Sequence, residues 1–334
     1  MYTLAIESSC DDTAAAVLKA DQLVLSSVIS SQDEIHARFG GIVPELAGRR
    51  HVEMICPVVE EALVRARVSL KKIALIAVTQ GPGLVGSLLV GLTFAKTLSL
   101  VRGIPCVGVD HMAGHLLSCF LEDEHPDFPY TALIVSGGNT SLFEVLSPTD
   151  FRRLGRTRDD AAGEAFDKVA KLLNLGYPGG PPVSALASRG DPQACQFPRA
   201  WMGKESLDFS FSGLKTAVAN CVNNYRQQDL AVPEEDICAA FQEAVVDVLV
   251  TKTITAAEAL QHRHVVLGGG VASNMRLREE LADHCSRRGL RLFVPRPAYC
   301  TDNAAMIGMA GYHRFLQGNV LDPDADAYPR SPLI

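Results

Sequence analysis

No Cys-x-x-Cys pair occurs among the nine cysteines, which stand at positions 10, 56, 106, 119, 195, 221, 238, 285 and 300. Their odd number and scatter exclude a zinc ribbon or a disulfide framework. Most therefore read as small buried hydrophobes in a reducing compartment, with Cys10 and Cys300 set apart by the polar motifs beside them. No continuous apolar run approaches the roughly 18 residues that cross a bilayer. The start, "MYTLAIESS", has no positive segment ahead of a long apolar one, so a cytoplasmic location without a secretory signal is expected. The zinc-protease pattern H-E-x-x-H is missing as well, because residue 112 is Met and no glutamate lies inside the histidine pair of "DHMAGHL"; a metallopeptidase would lack its general base. Overall positive charge is also lacking. With a formal net charge of −7, a bound polyanion would need a local basic face. Arg49, Arg50, Arg65, Arg67, Lys71 and Lys72 offer one cluster, Arg152, Arg153, Arg156 and Arg158 a second, and Arg287, Arg288 and Arg291 a third. Taken alone, each reads more readily as a solvated surface.

What is present fits an ordinary globular protein. At 334 residues, 47% apolar and 21% charged, the chain is long enough for two domains and a well-filled core. "TLAIESS" predicts a strand entering a polar turn, "CDDTA", followed by two short strands. Helical spacing covers Pro44 to Arg67; the apolar face of this helix suits a subunit contact or core packing alike. "IALIAVTQGPG" is a buried strand, "SLLVGLTFAKTLSLVRG" a helix ending at Gly103, "IPCVGVDH" a strand and "MAGHLLSCFLE" a helix. The break "EDEHPDFP" predicts a domain boundary. We expect one domain over 1–125 plus 300–320 and a second over 129–299, with an inserted helical region at about 152–230. In the second domain "YTALIVSGGNTSLFEVLS" repeats the opening pattern, "EDICAAFQEAVVDVLVTKTITAAEAL" predicts a long amphipathic helix, and "HVVLGGGVASN" a strand, turn and helix start. "LRLFVPRP" and "TDNAAMIGMAGYHRFL" predict a last strand and a last helix. Mixed strands and helices in this order indicate α/β domains with a ligand cleft between them.

Two features carry chemistry. His111 and His115 lie four residues apart and share one helix face, an arrangement suited to a transition metal, although such a pair alone is also met in ordinary cores. The turns at Val135–Thr140 and Val266–Asn274 are glycine-rich and each follows an apolar run, as a turn that cradles phosphate should. Either could be an ordinary tight turn when taken alone.

Nine ordered motifs together resemble one known family: "IESSCDDT", "TQGPGLVGSLLVG", "DHMAGHL", "VSGGNT", "GEAFDKVAKLL", "YPGGP", "FSFSGLKTAV", "GGGVASN" and "CTDNAAMI". They are similar to the signatures of the universal tRNA threonylcarbamoyladenosine (t6A) transferases, formerly called O-sialoglycoprotein endopeptidases, and the motif style is bacterial. The match runs from residue 2 to about residue 316. The resemblance implies an α/β, actin-like ATPase fold of the sugar kinase/Hsp70/actin type, with two RNase H-like domains. It implies transfer of the threonylcarbamoyl group from threonylcarbamoyl-AMP to N6 of adenosine 37 in tRNAs reading ANN codons, giving t6A and AMP. The implied partners are tRNA, an inactive paralogue of the same fold and a P-loop ATPase, or a homodimer when the protein acts alone, with no membrane.

By the same resemblance His111, His115 and Asp302 hold one divalent metal, iron or zinc. Imidazole and carboxylate ligands suit either cation. Where some relatives carry a tyrosine ahead of the glycine turn, this chain has Ile134. Val135, Ser136, Gly137, Gly138, Asn139 and Thr140 are expected around the donor's phosphate, where glycines let N–H groups approach an anion. Gly269 and Asn274 match the adenosine side, and Asp167 and Gly180 the ribose and adenine; Ser184 stands where many relatives are acidic. ATP, ADP or AMP would enter the same place. For Asp167, an ion pair with Lys168 or Lys171 is the alternative. Asp11, Glu7 and Ser9 are expected to act in catalysis, Asp11 as general base, and Arg156, Arg158, Lys204 and Lys215 to touch tRNA. Rival readings are a nucleotide-responsive scaffold for a tRNA-modification complex, a small-molecule kinase of the same fold, and a metallopeptidase.

Overall fold

The computed structural model describes residues 1–20, 22–203 and 206–333. The chain forms two compact units, one comprising Met1–Phe128, Val145–Phe151 and Pro295–Ile334, the other Pro129–Glu144 and Arg152–Val294.

The first unit is built on β1 (Tyr2–Glu7), β2 (Thr13–Lys19), β3 (Leu23–Ser30), β4 (Ile73–Gly81) and β5 (Cys106–Asp110), in the sheet order β3-β2-β1-β4-β5. β1 runs antiparallel to β2 and parallel to β4. The three inner strands are apolar on both faces, and Leu4, Ala5, Ile6, Ala14 to Leu18 and Leu75 to Val78 are buried. A sheet covered on both sides demands such continuous runs. Between β3 and β4 lie a short helix, α1 (Asp33–Ala37), and α2 (Pro44–Ala66); α3 (Val85–Arg102) and α4 (His111–Leu117) flank β5. Ile55, Val59 and Leu92 bring α2 and α3 into the core formed with Ile6, Val17 and Ile76. After the second unit the chain returns to this one with α10 (Pro297–Cys300) and α11 (Ala304–Leu316). A Cβ on Gly308 or Gly311 would lie 2.4 Å from Leu18 or 2.5 Å from Ala77, so these glycines allow α11 to sit directly on the sheet.

The second unit repeats the plan. β6 (Tyr130–Val135), β7 (Thr140–Ser147), β8 (Asp150–Arg156), β9 (His264–Gly268) and β10 (Arg291–Phe293) take the order β10-β9-β6-β7-β8. Read from the other edge, this is the connection order of the first sheet. β6 pairs parallel with β9, as β1 does with β4. The helices are α5 (Ala162–Leu172), α6 (Gly180–Ala187), α7 (Ser212–Gln227), α8 (Glu234–Ala259) and α9 (Met275–Arg287).

Two expectations need correction. α8 is not amphipathic: from Ile237 to Ala257 buried residues occur all round it, because α6, α7, α9 and the sheet each pack against it. And α3, 18 residues long, is apolar enough by length and composition to cross a bilayer, which its scattered Lys96 and glycines conceal in the sequence. In the fold it buries Ser87, Leu88, Gly91, Leu92 and Ala95 in the first unit.

Candidate metal centre and nucleotide-binding turns

β5 ends at Asp110, whose Oδ1 accepts the Met112 amide at 2.9 Å and so caps α4. All seven residues of this helix are buried. One turn brings the two histidine rings to 4.7 Å between centroids, nearly perpendicular, with their Nε2 atoms 3.1 Å apart. Asp302 arrives from the segment ahead of α11, where Asn303 caps the helix by accepting the Met306 amide at 3.0 Å. Its Oδ1 lies 3.1 Å from His115 Nε2 and 3.4 Å from His111 Nε2.

This triangle fits one cation. Donors bound at about 2.0–2.2 Å in tetrahedral or octahedral geometry stand roughly 3.0–3.5 Å from one another. His111, His115 and Asp302 are the group of metal-competent side chains that meets this requirement among the described residues. A shared metal would use the lone pairs of both facing Nε2 atoms and one oxygen of Asp302.

A carboxylate behind the histidine sets its tautomer. Glu7, at the end of β1 and 1% exposed, lies 2.9 Å from His111 Nδ1; Nδ1–H donating there leaves Nε2 free to ligate. Glu7 is itself held by the Ser9 amide at 2.5 Å and the Thr79 hydroxyl at 2.6 Å. Ser9 Oγ also reaches His111 Nδ1, at 3.2 Å. Burial disfavours charge on all three groups, yet their attraction outweighs it. Asp302 and Glu7 hold His111 well above the ordinary histidine value, and His111 holds Glu7 and Asp302 below the usual carboxylate range. Glu7 is thus placed to orient His111 rather than to meet a substrate, and Thr79, which the sequence did not suggest, steadies it.

The β1–β2 turn carries two more acids. Burial raises Asp11 above the ordinary aspartate value, with the Asp302 charge adding to it. Burial and the Asp11 charge push Asp12 up to about 7. Cys10 is pushed far up by burial and by Asp11, so it stays a thiol. His51 of α2 braces this turn, with Nδ1 2.7 Å from Thr13 Oγ1 and Nε2 3.0 Å from the Cys10 carbonyl.

In the second unit the glycine-rich turns lie side by side, since Ile134 pairs with Gly268 at the ends of parallel strands. Ser136 closes the first turn: its amide donates to Asn139 O at 2.8 Å, and its hydroxyl accepts the Asn139 amide at 3.1 Å. Thr140 Oγ1 accepts the Ala162 amide at 2.9 Å, which seats the start of α5 against the turn. A Cβ on Gly163 would stand 2.5 Å from Ser136 O. Gly137 and Gly138 are different. A Cβ there meets nothing within 4 Å, and neither has positive φ, so no contact within the chain requires glycine. Gly269, with φ +87, is required: its Cβ would lie 2.3 Å from Val135 O.

Asp167 accepts the Gly179 amide at 2.7 Å and makes neither of the ion pairs considered for it; Lys168 instead pairs with Asp160 and Glu164. Beside it Gly180 is open on its Cβ side. Asn274 caps α9 through Oδ1, which accepts the Leu277 amide at 3.0 Å, while its Nδ2 donates to Ser184 Oγ and Gln242 Oε1, both at 2.8 Å. Gln242, deep in α8, gave no sign in the sequence of belonging here.

The basic cluster on β8 is partly neutralised. Arg152 pairs with Glu144 and Arg158 with Asp208, both at 2.5 Å. Partial burial lowers Arg153 below the usual arginine value, and the Arg156 and Arg158 charges add to that. Lys215 is exposed on α7, and Lys204 lies outside the described residues.

Two copies of one five-stranded α/β unit, one with a metal-competent triad and one with paired glycine turns, define an actin-like ATPase fold. The comparisons agree. The chain superposes on the crystal structure of the Acidaminococcus fermentans (R)-2-hydroxyglutaryl-CoA dehydratase component A with a TM-score of 0.54 at 15% identity, over 94% of this chain and 98% of that one. On full-length HypF in its phosphate- and nucleotide-bound form the TM-score is 0.64 at 15% identity, over 98% of this chain and 47% of that one. Residues 23–309 match the TsaD family model, described as tRNA N6-adenosine threonylcarbamoyltransferase, and the chain belongs to that family. It is 59% identical over 339 residues to the enzyme of that name from Desulfotalea psychrophila, covering 100% of this chain and 98% of the relative. With the Clostridioides difficile enzyme of the same name it shares 50% over 329 residues, 98% of this chain and 97% of the relative.

Proposed function

We propose that this chain transfers the threonylcarbamoyl group of threonylcarbamoyl-AMP to N6 of adenosine 37 in tRNAs reading ANN codons, releasing AMP. The donor triangle of His111, His115 and Asp302, in a chain of this family, is the observation that carries the reading. Iron or zinc bound there would act as a Lewis acid, withdrawing charge from the carbamoyl–phosphate linkage.

The remaining work falls to side chains. The exocyclic amine of adenine is a poor nucleophile, so it needs an activated acyl donor and a proton acceptor within reach. Asp11, its pKa raised by burial, suits that acceptor. As the amine nitrogen bonds to the carbamoyl carbon, the carbon–oxygen bond to phosphate breaks; AMP leaves with the electron pair and Asp11 takes the amine proton. No covalent enzyme intermediate is needed, in keeping with Cys10 remaining a thiol. Glu7 and Ser9 hold His111 rather than touch substrate. In the second unit, the N–H groups of Gly137 and Gly138, with Ser136 and Asn139, suit a phosphate, and the open Cβ sides of the two glycines support this; Thr140, fully buried and holding the Ala162 amide, braces the turn instead. Asp167, Gly180, Ser184, Gly269 and Asn274 suit the nucleoside, which ADP or ATP would share.

Arg156, Lys215 and, on release from Asp208, Arg158 suit the tRNA backbone. Val52 and Val64, exposed on α2, suit an apolar contact with an inactive paralogue or a second copy, and a P-loop ATPase would complete a bacterial complex in the cytoplasm.

The test combines purified protein, synthetic threonylcarbamoyl-AMP and unmodified tRNA, with nucleoside mass spectrometry as readout. We expect t6A to form, alone or with the paralogue and ATPase, and to fall at least about 100-fold in Asp302→Ala. No product with all partners present, or an undiminished yield from Asp302→Ala, overturns the reading. ADP release with a small hydroxyl compound would favour the kinase.

A further inference from the structure

Residues 319–333 form neither helix nor strand, yet they are fastened along the first unit. Leu321 N donates to Cys106 O at 2.7 Å on β5, an edge strand, and Tyr328 N donates to Gln80 O at 3.0 Å. Gln80 Nε2 donates in return to Asp326 O at 2.8 Å, and Lys96 Nζ to Ala325 O at 2.8 Å. Two glycines make room for this strap. A Cβ on Gly81 would lie 2.1 Å from Tyr328 O, and one on Gly108 would lie 2.9 Å from Leu321 Cδ1.

The far end of the strap converges on one atom. Tyr328 OH donates to Asp110 Oδ2 at 3.1 Å, and Ser331 Oγ donates to the same oxygen at 2.5 Å. Ser331 is fixed by the Leu333 amide, which donates to its Oγ at 2.9 Å. Asp110 is 3% exposed, and its other oxygen caps α4 through Met112 N. One buried carboxylate therefore joins the C-terminal strap to the first turn of the helix that begins with His111. α4 has only seven residues, and His111 and His115 stand one and five residues after the cap. Covering the edge of β5 needs nothing more than the backbone bonds and Leu321. It does not explain two hydroxyls meeting on a single buried oxygen.

We propose that Tyr328 and Ser331 are positioning residues: through Asp110 they set the orientation of α4 and hence of the metal-ligating His111 and His115. This rests on the metal reading above. Partners that orient ligands from behind are worth about 10–100-fold in metal affinity, and here Tyr328 and Ser331 provide that support through Asp110.

The test uses the full chain, with zinc affinity measured by chelator competition and ligand geometry by the visible absorption of bound cobalt(II). Tyr328→Phe/Ser331→Ala is expected to bind zinc about 10-fold more weakly and to show an altered cobalt spectrum, while its metal-free thermal midpoint stays within a few degrees of the parent. Lys96→Met loosens the strap without touching Asp110 and should keep the parent's affinity and spectrum. Parent-like binding by the double variant overturns the inference, as does an equal loss in Lys96→Met, which would mark a general loosening. A parent chain that binds no metal, or His111→Ala binding like the parent, overturns the metal reading and this inference with it.

Discussion

The β1–β2 turn of the first unit and the β6–β7 turn of the second occupy the same place in the same topology. Behind each, a glycine that follows the central parallel strand packs on the turn's backbone. A Cβ on Gly83 would stand 2.3 Å from Ser9 O, and one on Gly269 the same 2.3 Å from Val135 O. What differs is the charge on the turn. The first carries Asp11 and Asp12 and follows Glu7 directly; the second has Ser136, two open glycines and Asn139, with no ionisable side chain. Shared backbone geometry thus serves opposite ends. One turn sets carboxylates beside a candidate cation site, while the other suits an anion through its N–H groups. The repeated topology supplies the frame, and side-chain choice within a few residues divides the labour.

If the two turns act independently, changes in one should leave the other's ligand alone. The largest effect is expected from Glu7→Gln, whose amide must present N–H to a partner that now donates. Zinc affinity should fall about 10–100-fold, with binding of AMP or ADP unchanged; a parallel loss of nucleotide binding would show that the turns are not separable. Next comes Gly163→Ala, which drives a methyl into Ser136 O and the Gly137 backbone. Calorimetry should record nucleotide affinity reduced roughly 10-fold, from a misplacement costing about 1–3 kcal/mol, with the metal content of the purified protein intact. Unaltered nucleotide affinity would remove the anion role from this turn. The smallest effect concerns Asp12. Its folded value of about 7 lies above that of an unfolded aspartate, near 3.9. The proton it holds therefore favours the fold at low pH, and this advantage is lost as pH rises through 7. Asp12→Asn should raise the thermal midpoint by about 2–4 °C at pH 8 and leave it unchanged at pH 4. Equal shifts at both values would mean that the carboxylate is not desolvated.

Much of this was readable in the sequence because the groups concerned sit where apolar runs stop. His111 and His115 follow a buried strand at helical spacing, and "VSGGNT" interrupts an otherwise continuous apolar pattern. The repeated strand–turn–strand plan was visible for the same reason. Long-range partners were not. Asp110 looks like any helix cap, and its two hydroxyl donors lie 218 and 221 residues further on. Thr79 reads as one more strand residue until it is found 2.6 Å from Glu7. The all-round burial of α8 depends on packing from α6, α7, α9 and a sheet, which no single segment encodes. In α3 a scatter of glycines and one lysine hid a helix of membrane-spanning length.

The candidate metal triad draws two donors from α4 and the third from a point 187 residues later, with the whole second unit encoded in between. On the ribosome, a nascent chain has both histidines long before Asp302 emerges. The complete donor set exists only once the second unit has been made, so a product interrupted within that unit lacks the set, and loading the site would mark a chain that carries both units.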